Sequence, residues 1–295
     1  MHSYSLRVEG YRCEVSPSLA HVLAGAAELA PPPTLPREPE DRVRRGIARL
    51  LDRATPVDEI RLTPNRIYVA PCGEVGAAIE VSVKEFSGRT MRARWNQWIR
   101  QASRAERNWR AARAVMQCGI RTPEPLLLAN PSRVSDPSYY GCRYLRGALE
   151  ARQVIKAANA GRAGAEFPQV SVERILAEMG DIVRTLHGAG LWHRDLTSGN
   201  FLLWPWNDPA NLSPFLIDLD RTRIGRTITR VTRIRELGRL PVFRREHQDV
   251  YLHGYYGDRV PRLDALLYRI HHRLYHLRAR LRVQGGKAIR RWLYA

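Results

Sequence analysis

Residues 190–203 read Gly190-Leu191-Trp192-His193-Arg194-Asp195-Leu196-Thr197-Ser198-Gly199-Asn200-Phe201-Leu202-Leu203. A His-Arg-Asp triplet is followed, five residues after Asp195, by Asn200 and then by an apolar run. A carboxylate and an amide at that spacing suit two tasks on opposite sides of a transferred group. Asp195 accepts the proton of an attacking hydroxyl, and Asn200 folds back to hold a metal ion near phosphates. Upstream, Val172, Ile175, Met179, Ile182, Val183 and Leu186 form one apolar stripe, so the segment is entered from a core helix over 172–187. Downstream, the apolar strand Phe215-Leu216-Ile217 ends in Asp218, eighteen residues after Asn200, where a carboxylate is placed to ligate a metal.

The run His193 to Asn200 fits the kinase catalytic-loop pattern H-R-D-x-x-x-x-N. A lone H-R-D is as well explained by a turn around a satisfied histidine. The core helix before it and the strand ending in Asp218 after it carry the catalytic reading. Further upstream, Val81-Ser82-Val83-Lys84 resembles the V-A-I-K strand whose lysine meets the α- and β-phosphates of a nucleotide. Lysine is scarce here: of 48 basic residues only Lys84, Lys156 and Lys287 are lysines. A lysine kept where arginine is so freely used points to a need for a compact ammonium. Glu106, on the next helix, is the expected ion-pair partner of Lys84, because Glu85 is adjacent on the strand and points to the other face.

Around these residues the chain divides into three stretches. Residues 1–58 form an N-terminal extension with a proline-rich break at Pro31 to Pro36 and a short amphipathic helix from Asp41 to Arg53. Residues 59–146 are β-rich: Ile67 to Ala70 and Ile79 to Phe86 read as antiparallel strands, and Leu126 to Leu128 and Tyr139 to Leu145 as further strands. One helix lies among them over 103–118, with Trp109, Ala112, Val115 and Met116 on one face and Gly119 as its stop. Residues 147–295 are mainly helical.

The catalytic residues, together with Arg104 to Trp109, Cys118 to Pro125, Tyr144 to Ala148 and Ile217-Asp218-Leu219-Asp220-Arg221, resemble the Kdo/heptose lipopolysaccharide kinase family over about residues 60–245. The resemblance implies an α+β fold of the bilobal protein-kinase type: a small antiparallel β-sheet N-lobe with one key helix and a mainly α-helical C-lobe. It implies ATP- and Mg-dependent phosphorylation of a Kdo or heptose hydroxyl in the lipopolysaccharide inner core, on the cytoplasmic face of the inner membrane. By that match Lys84 and Glu106 position ATP, Asp195 is the base, His193 and Asn200 count with it as catalytic residues, and Asn200 and Asp218 hold magnesium. The chain departs from the kinase pattern in having no G-x-G-x-x-G, so Thr63-Pro64-Asn65 or Gly73 to Gly76 must cover the phosphates, and it has no A-P-E element.

A length of 295 residues with 44% hydrophobic residues excludes disorder, and the formal charge of +19 points to a polyanionic partner. Most of that charge lies late. From Arg221 to Arg245 nine arginines face one acid, Glu236, just after the metal-binding strand. Arg223, Arg226, Arg230 and Arg233 are the candidate contacts to an anionic acceptor, since guanidinium forks bind phosphate and carboxylate in pairs; a solvated helix face is the plain alternative. Leu263, Leu266, Leu267, Ile270, Leu274, Leu277 and Leu281 follow helical spacing with arginines between them. A basic amphipathic helix ending in the aromatics of Arg290-Arg291-Trp292-Leu293-Tyr294 suits an anionic membrane surface; packing of the Leu face on the C-lobe is the favoured account of the stripe, and both hold where the Arg face meets lipid. Cys13, Cys72, Cys118 and Cys142 show neither C-x-x-C pairing nor zinc spacing, as expected in a reducing cytoplasm. No apolar run reaches the ~18 residues of a membrane span, so a protein that is soluble, or at most attached to a membrane surface, is expected. Two other functions share these features: transfer to a small molecule or a protein Ser/Thr, and an inactive kinase-fold scaffold for RNA or membrane. Nothing in the sequence resembles an RNA-recognition motif, and no specific nucleic acid is expected.

Overall fold

A computed structural model describes residues 2–25, 29, 35–52, 58–61, 65–73, 78–87, 102–133 and 135–293. Two units emerge, one of Met1–Gln117, Thr122–Arg146 and Asp218–Arg221, the other of Cys118–Arg121, Gly147–Ile217 and Thr222–Ala295.

The first unit contains β1 (Tyr4–Val8), β2 (Tyr11–Val15), α1 (Pro17–Ala24), α2 (Arg37–Leu51), β3 (Asp58–Arg61), β4 (Ile67–Cys72), β5 (Ile79–Phe86), α3 (Arg104–Gln117), β6 (Pro125–Pro131) and β7 (Ser138–Arg143). The strands form one antiparallel sheet in the order β1-β2-β6-β7-β5-β4-β3. Central β5 has Val81 and Val83 fully buried, and its register sets Lys84 opposite Ile67 on one neighbour and Tyr140 on the other. Leu19 of α1, Val43 and Ile47 of α2 and Val15 of β2 are buried in the same core as Val81 and Leu127. Residues read from sequence as an N-terminal extension thus contribute two strands and two helices to this sheet and core. Helix α3 begins where the Ser103 hydroxyl accepts the Glu106 N–H at 3.0 Å, buries Trp109, Ala112 and Val115, and ends before Gly119 in the left-handed conformation.

The second unit contains β8 (Leu149–Glu150), α4 (Ala151–Asn159), α5 (Ala163–Glu166), α6 (Val172–Gly188), β9 (Phe201–Trp204), β10 (Ser213–Leu216), α7 (Arg230–Leu237), α8 (Arg245–Tyr256) and α9 (Arg262–Leu293). The three strands form a small antiparallel sheet. Helix α6 starts at Ser171, whose hydroxyl accepts the Arg174 N–H at 3.1 Å, and buries Ile175, Leu176, Met179, Val183 and Leu186. It crosses α8 so closely that a Cβ at Gly180 would overlap the backbone of Tyr251, and one at Gly254 the backbone of Ala177.

Helix α9 departs from expectation. Its Leu stripe faces away from the unit: Leu263, Leu266, Ile270, Leu274, Leu277 and Leu281 are each about half exposed. Polar anchoring on the other side turns it outward. Asp264 accepts from Arg230 and Tyr256, Arg269 donates to Asp249, and Tyr268 and His272 are buried beneath. Among the described residues, no helix is long and apolar enough to cross a membrane.

Candidate active site

The candidate residues fall into two groups, one in each unit. In the second unit, α6 delivers the chain to the loop 190–200, which is held as a bridge rather than a free turn. Trp192 exchanges both backbone hydrogen bonds with Arg223, at 2.9 and 2.8 Å, and the Arg226 N–H donates to Gly190 O at 3.0 Å. The guanidiniums of Arg194 and Arg223 both lie over the Trp192 ring. His193 is fully buried. Its Nδ1 accepts the Asp195 N–H at 3.3 Å, so Nε2 carries the proton and donates to Ile217 O at 3.2 Å. His193 therefore ties the loop to the end of β10 and stands behind Asp195 rather than beside a substrate.

Arg194 sits between them with φ +69°, a left-handed conformation that costs a non-glycine residue roughly 1–2 kcal/mol. Its backbone is held from both sides. The Arg194 N–H donates to Glu236 Oε1 at 2.6 Å, while Arg194 O accepts from Arg239. Glu236, only 2% exposed, meets His187 Nε2 at 3.0 Å through its other oxygen, and His187 Nδ1 pairs with the Tyr255 hydroxyl at 2.8 Å. A charge-assisted network of buried groups thus fixes the peptide just before the candidate base. Arg239 Nη1 also lies 3.9 Å from Asp195 Oδ1, so the carboxylate has a guanidinium beside it.

Asp195 and Asn200 are brought together: Asn200 Nδ2 donates to Asp195 O at 2.7 Å, which commits the amide nitrogen and leaves Oδ1 as the atom suited to a cation. The Arg152 guanidinium lies across Gly199, in the space that a Cβ would take. The Ile217 N–H donates to Asn200 O at 2.9 Å, and the next residue in the chain is Asp218.

In the first unit, Asp218 takes φ +60°, like Arg194 an unusual backbone for its residue type. Its Oδ1 meets Lys84 Nζ at 2.7 Å, with Lys84 15% and Asp218 40% exposed. This corrects the expected Lys84–Glu106 pair. Glu106 instead meets Arg110, one turn along α3, and Asn130 Nδ2 at 3.3 Å; the partner one turn away is already at hand on its own helix. Across the sheet from Lys84, burial pushes the Tyr140 hydroxyl well above its usual pKa and the Cys142 thiol up to about 12, although Lys84 draws the thiol the other way. Both neighbours stay neutral, so the ammonium is answered by Asp218. Glu85 is buried, as expected for the opposite face of β5.

Sequence reasoning missed the second acid of the Asp-Leu-Asp run. Asp220, 3% exposed, receives Arg104 Nε and Nη2 at 2.8 and 2.6 Å, and Arg107 Nε donates to its carbonyl at 3.3 Å. Segment 218–221 is thereby docked on the first turn of α3. The signal was present: two acids two residues apart, only one of which the metal chemistry required. Of the four arginines expected at an acceptor, Arg223 and Arg226 are placed against the catalytic loop, Arg233 is exposed on α7, and Arg230 is committed to Asp264 at 2.5 Å as an anchor of α9. Of the two candidate phosphate-covering turns, Thr63, Pro64 and residues 74–76 lie outside the described residues, while the Asn65 side chain accepts from Arg104 at 3.5 Å.

The donor types, an amide oxygen and a carboxylate, suit a divalent cation. Among the described residues no group of three or more His, Cys, Asp or Glu side chains is gathered as a metal cage. Taken singly, the Asn200 Oδ1 in the second unit and the Asp218 carboxylate in the first are hard oxygen donors, the kind that magnesium takes.

A loop of this form, a lysine paired with an acid at the end of an apolar strand, and a β-rich unit joined to a helical one define a kinase-type phosphotransferase. The Lipopolysaccharide kinase (Kdo/WaaP) family matches residues 70–253 of the chain. The protein belongs to that family. Among solved structures, "WaaP in complex with acyl carrier protein" shares the fold with a TM-score of 0.51 at 18% identity, covering 75% of this chain and 89% of that one. No curated protein matches the chain.

Proposed function

We propose that the protein transfers the γ-phosphoryl group of ATP to a Kdo or heptose hydroxyl of the lipopolysaccharide inner core, working peripherally at the cytoplasmic face of the inner membrane. The observation that carries the reading is the braced Asp195: a carboxylate on a rigid, buried-network loop inside a chain of the lipopolysaccharide kinase family. Asp195 accepts the proton of the sugar hydroxyl as its oxygen attacks. Lys84 binds the nucleotide phosphates, and Asn200 and Asp218 are the residues that would hold magnesium. When bound, that ion neutralises charge on the phosphates. Phosphoryl transfer asks a protein mainly for positioning and charge neutralisation, and the fixed loop backbone serves the first. Arg239 serves the second: the loop has no cation between Asp195 and Asn200, and its guanidinium is held beside the base. Arg223 and Arg226, whose backbones bond to the loop at Trp192 and Gly190, are the proposed contacts to an anionic substituent of the acceptor.

The test is transfer of label from radioactive ATP, with magnesium, to core oligosaccharide, with RNA and a generic protein in parallel. Label is expected on the oligosaccharide alone. Asp195→Ala should lower turnover by roughly 10²–10⁴-fold, the usual worth of a positioned base, while nucleotide binding persists. Lys84→Ala should weaken both. Full activity of Asp195→Ala would end the assignment.

A further inference from the structure

Helix α9 is amphipathic in the inverted sense. Toward its own unit it sends Asp264, Tyr268, Arg269, His272 and His276. Asp264 is bonded to Arg230 and to the Tyr256 hydroxyl at 2.8 Å, Arg269 to Asp249 at 2.7 Å, and His276 to Leu240 O at 3.3 Å, while Phe243 packs edge-on against His272 and His276. These directional contacts fix the rotation of the helix about its axis, so its apolar side is held outward. Leu263, Leu267, Ile270, Leu274, Leu277 and Leu281, spaced alternately by four and three residues, are 37–57% exposed, with Leu266 at 53% beside them. At 1.5 Å per residue the stripe runs roughly 27 Å, an exposed aliphatic surface that a soluble protein does not keep without a use for it. The helix also lies wholly beyond the residues that the family matches.

The flanking charges select the occupant. Alternation of four and three is the seam of a coiled coil, and a second copy of α9 is the first occupant to weigh. Beside the seam stand Arg273, Arg278 and Arg280, and the only acid in α9, Asp264, is already buried against Arg230 and Tyr256. Two copies would set arginine against arginine with no free acid to answer it. An anionic surface that is also apolar a few ångströms down answers both features. The sequence after the stripe, Arg290-Arg291-Trp292-Leu293-Tyr294, continues the same chemistry with the aromatic residues favoured at lipid interfaces.

We infer that α9 is an in-plane membrane-binding helix, seating its leucine stripe among the acyl chains of an anionic bilayer with its arginines at the headgroups. The inference deepens the proposed function by naming the element that brings the enzyme to a lipid-borne acceptor, but it rests on α9 alone, so its test uses neither nucleotide nor sugar. The full chain is sedimented with vesicles of phosphatidylcholine alone and with vesicles containing phosphatidylglycerol. Binding is expected to the anionic vesicles and to weaken in high salt. The double variant Leu274→Asp/Leu277→Asp should bind at least tenfold less, with an unchanged thermal melt because both side chains are exposed. Arg273→Gln and Arg278→Gln should each weaken binding roughly fivefold on anionic vesicles, the effect of about 1 kcal/mol per basic residue, and leave transfer to soluble oligosaccharide unchanged. Absence of vesicle binding, or binding indifferent to the leucine variant, overturns the inference. So does a stable dimer in sedimentation velocity that the leucine variant dissolves, or capture of purified acyl carrier protein through these residues in place of vesicles. Failure of sugar phosphorylation with vesicle binding intact would strike the proposed function and leave this inference standing.

Discussion

At the scale of single residues, the site is governed by side chains with no claim on a substrate. Glu236 holds the Arg194 N–H and His187 Nε2 with its two oxygens, and nothing in the local sequence marks it, for it is one acid among nine arginines. Glu236→Ala strands two buried donors and should cost about 2–5 kcal/mol of stability together with most of the activity. Glu236→Gln keeps the shape but turns one acceptor into a donor, which clashes with the proton on His187 Nε2 unless the imidazole changes tautomer. The Gln variant should therefore fold, keep its KM for ATP within a few-fold and lose part of kcat, up to about tenfold, because its one remaining oxygen cannot serve both the Arg194 N–H and the His187 proton, which loosens the loop peptide before Asp195. Steady-state kinetics and a thermal melt on both variants separate the positioning role from a purely structural one. Equal losses of stability and kcat in the two variants would argue against it. Asp195, Asn200, Lys84 and Asp218 could be singled out in the sequence because the proposed chemistry dictates their type and spacing. Glu236 and Arg239 could not, because a residue that supports a loop from a distant helix has no fixed spacing from it.

At the scale of elements, periodicity found what was periodic. Helices α3 and α6 and strands β4 and β5 were readable because their buried residues repeat at helical or alternating spacing over enough length. The hairpin β1–β2 was missed although Tyr4, Leu6 and Val8 alternate as buried residues. Its two-residue turn is Glu9-Gly10, with φ +45° and +84°, where the familiar signal is Asn-Gly or Asp-Gly. The crossing of α6 and α8 was equally invisible, since Gly180 and Gly254 lie in sequence-distant helices and look like weak helix residues. Two effects oppose one another there. Alanine gains up to about 1 kcal/mol in helix propensity over glycine, but a Cβ at Gly180 or Gly254 meets backbone that cannot rotate away. Overpacking of that kind costs about 1–3 kcal/mol or more, so the clash wins. Gly180→Ala and Gly254→Ala should each lower Tm by several degrees, whereas Gly188→Ala, on the same helix with nothing within 4 Å, should leave it unchanged or raise it. Differential scanning calorimetry of the three variants gives the comparison. A stabilised Gly180→Ala would mean that the helices are not in contact at that point.

At the scale of the whole molecule, the charge of +19 and its concentration in the last quarter of the chain led to the expectation of an anionic partner there and of a last helix with its Leu face packed inward, but in the structure that face is turned outward. A helical period marks two faces of α9 without saying which one turns inward; that depends on Asp249, Arg230, Tyr256 and Leu240, which meet α9 only in the folded chain. The polar inner face has a measurable consequence. Burial lowers the pKa of His271 and His276 and brings His272, 2% exposed, down to about 4, with neighbouring cations pushing the same way: Arg235, Arg239 and Arg278 beside His271, Arg273 beside His272 and Arg280 beside His276. These imidazoles are neutral in the fold and take protons readily only when the chain unfolds. A lowered folded pKa leaves stability untouched above about pH 6.5 and removes it as pH falls toward 4, by up to about 1.4 kcal/mol per pH unit for each histidine. Thermal unfolding followed from pH 7.5 to 4.5 should therefore show Tm level at first and then falling. In His272→Phe, whose ring keeps the packing against Phe243 and Tyr268 without a titrating nitrogen, the fall should be shallower. An identical slope in His272→Phe would show that His272 is not what acid attacks.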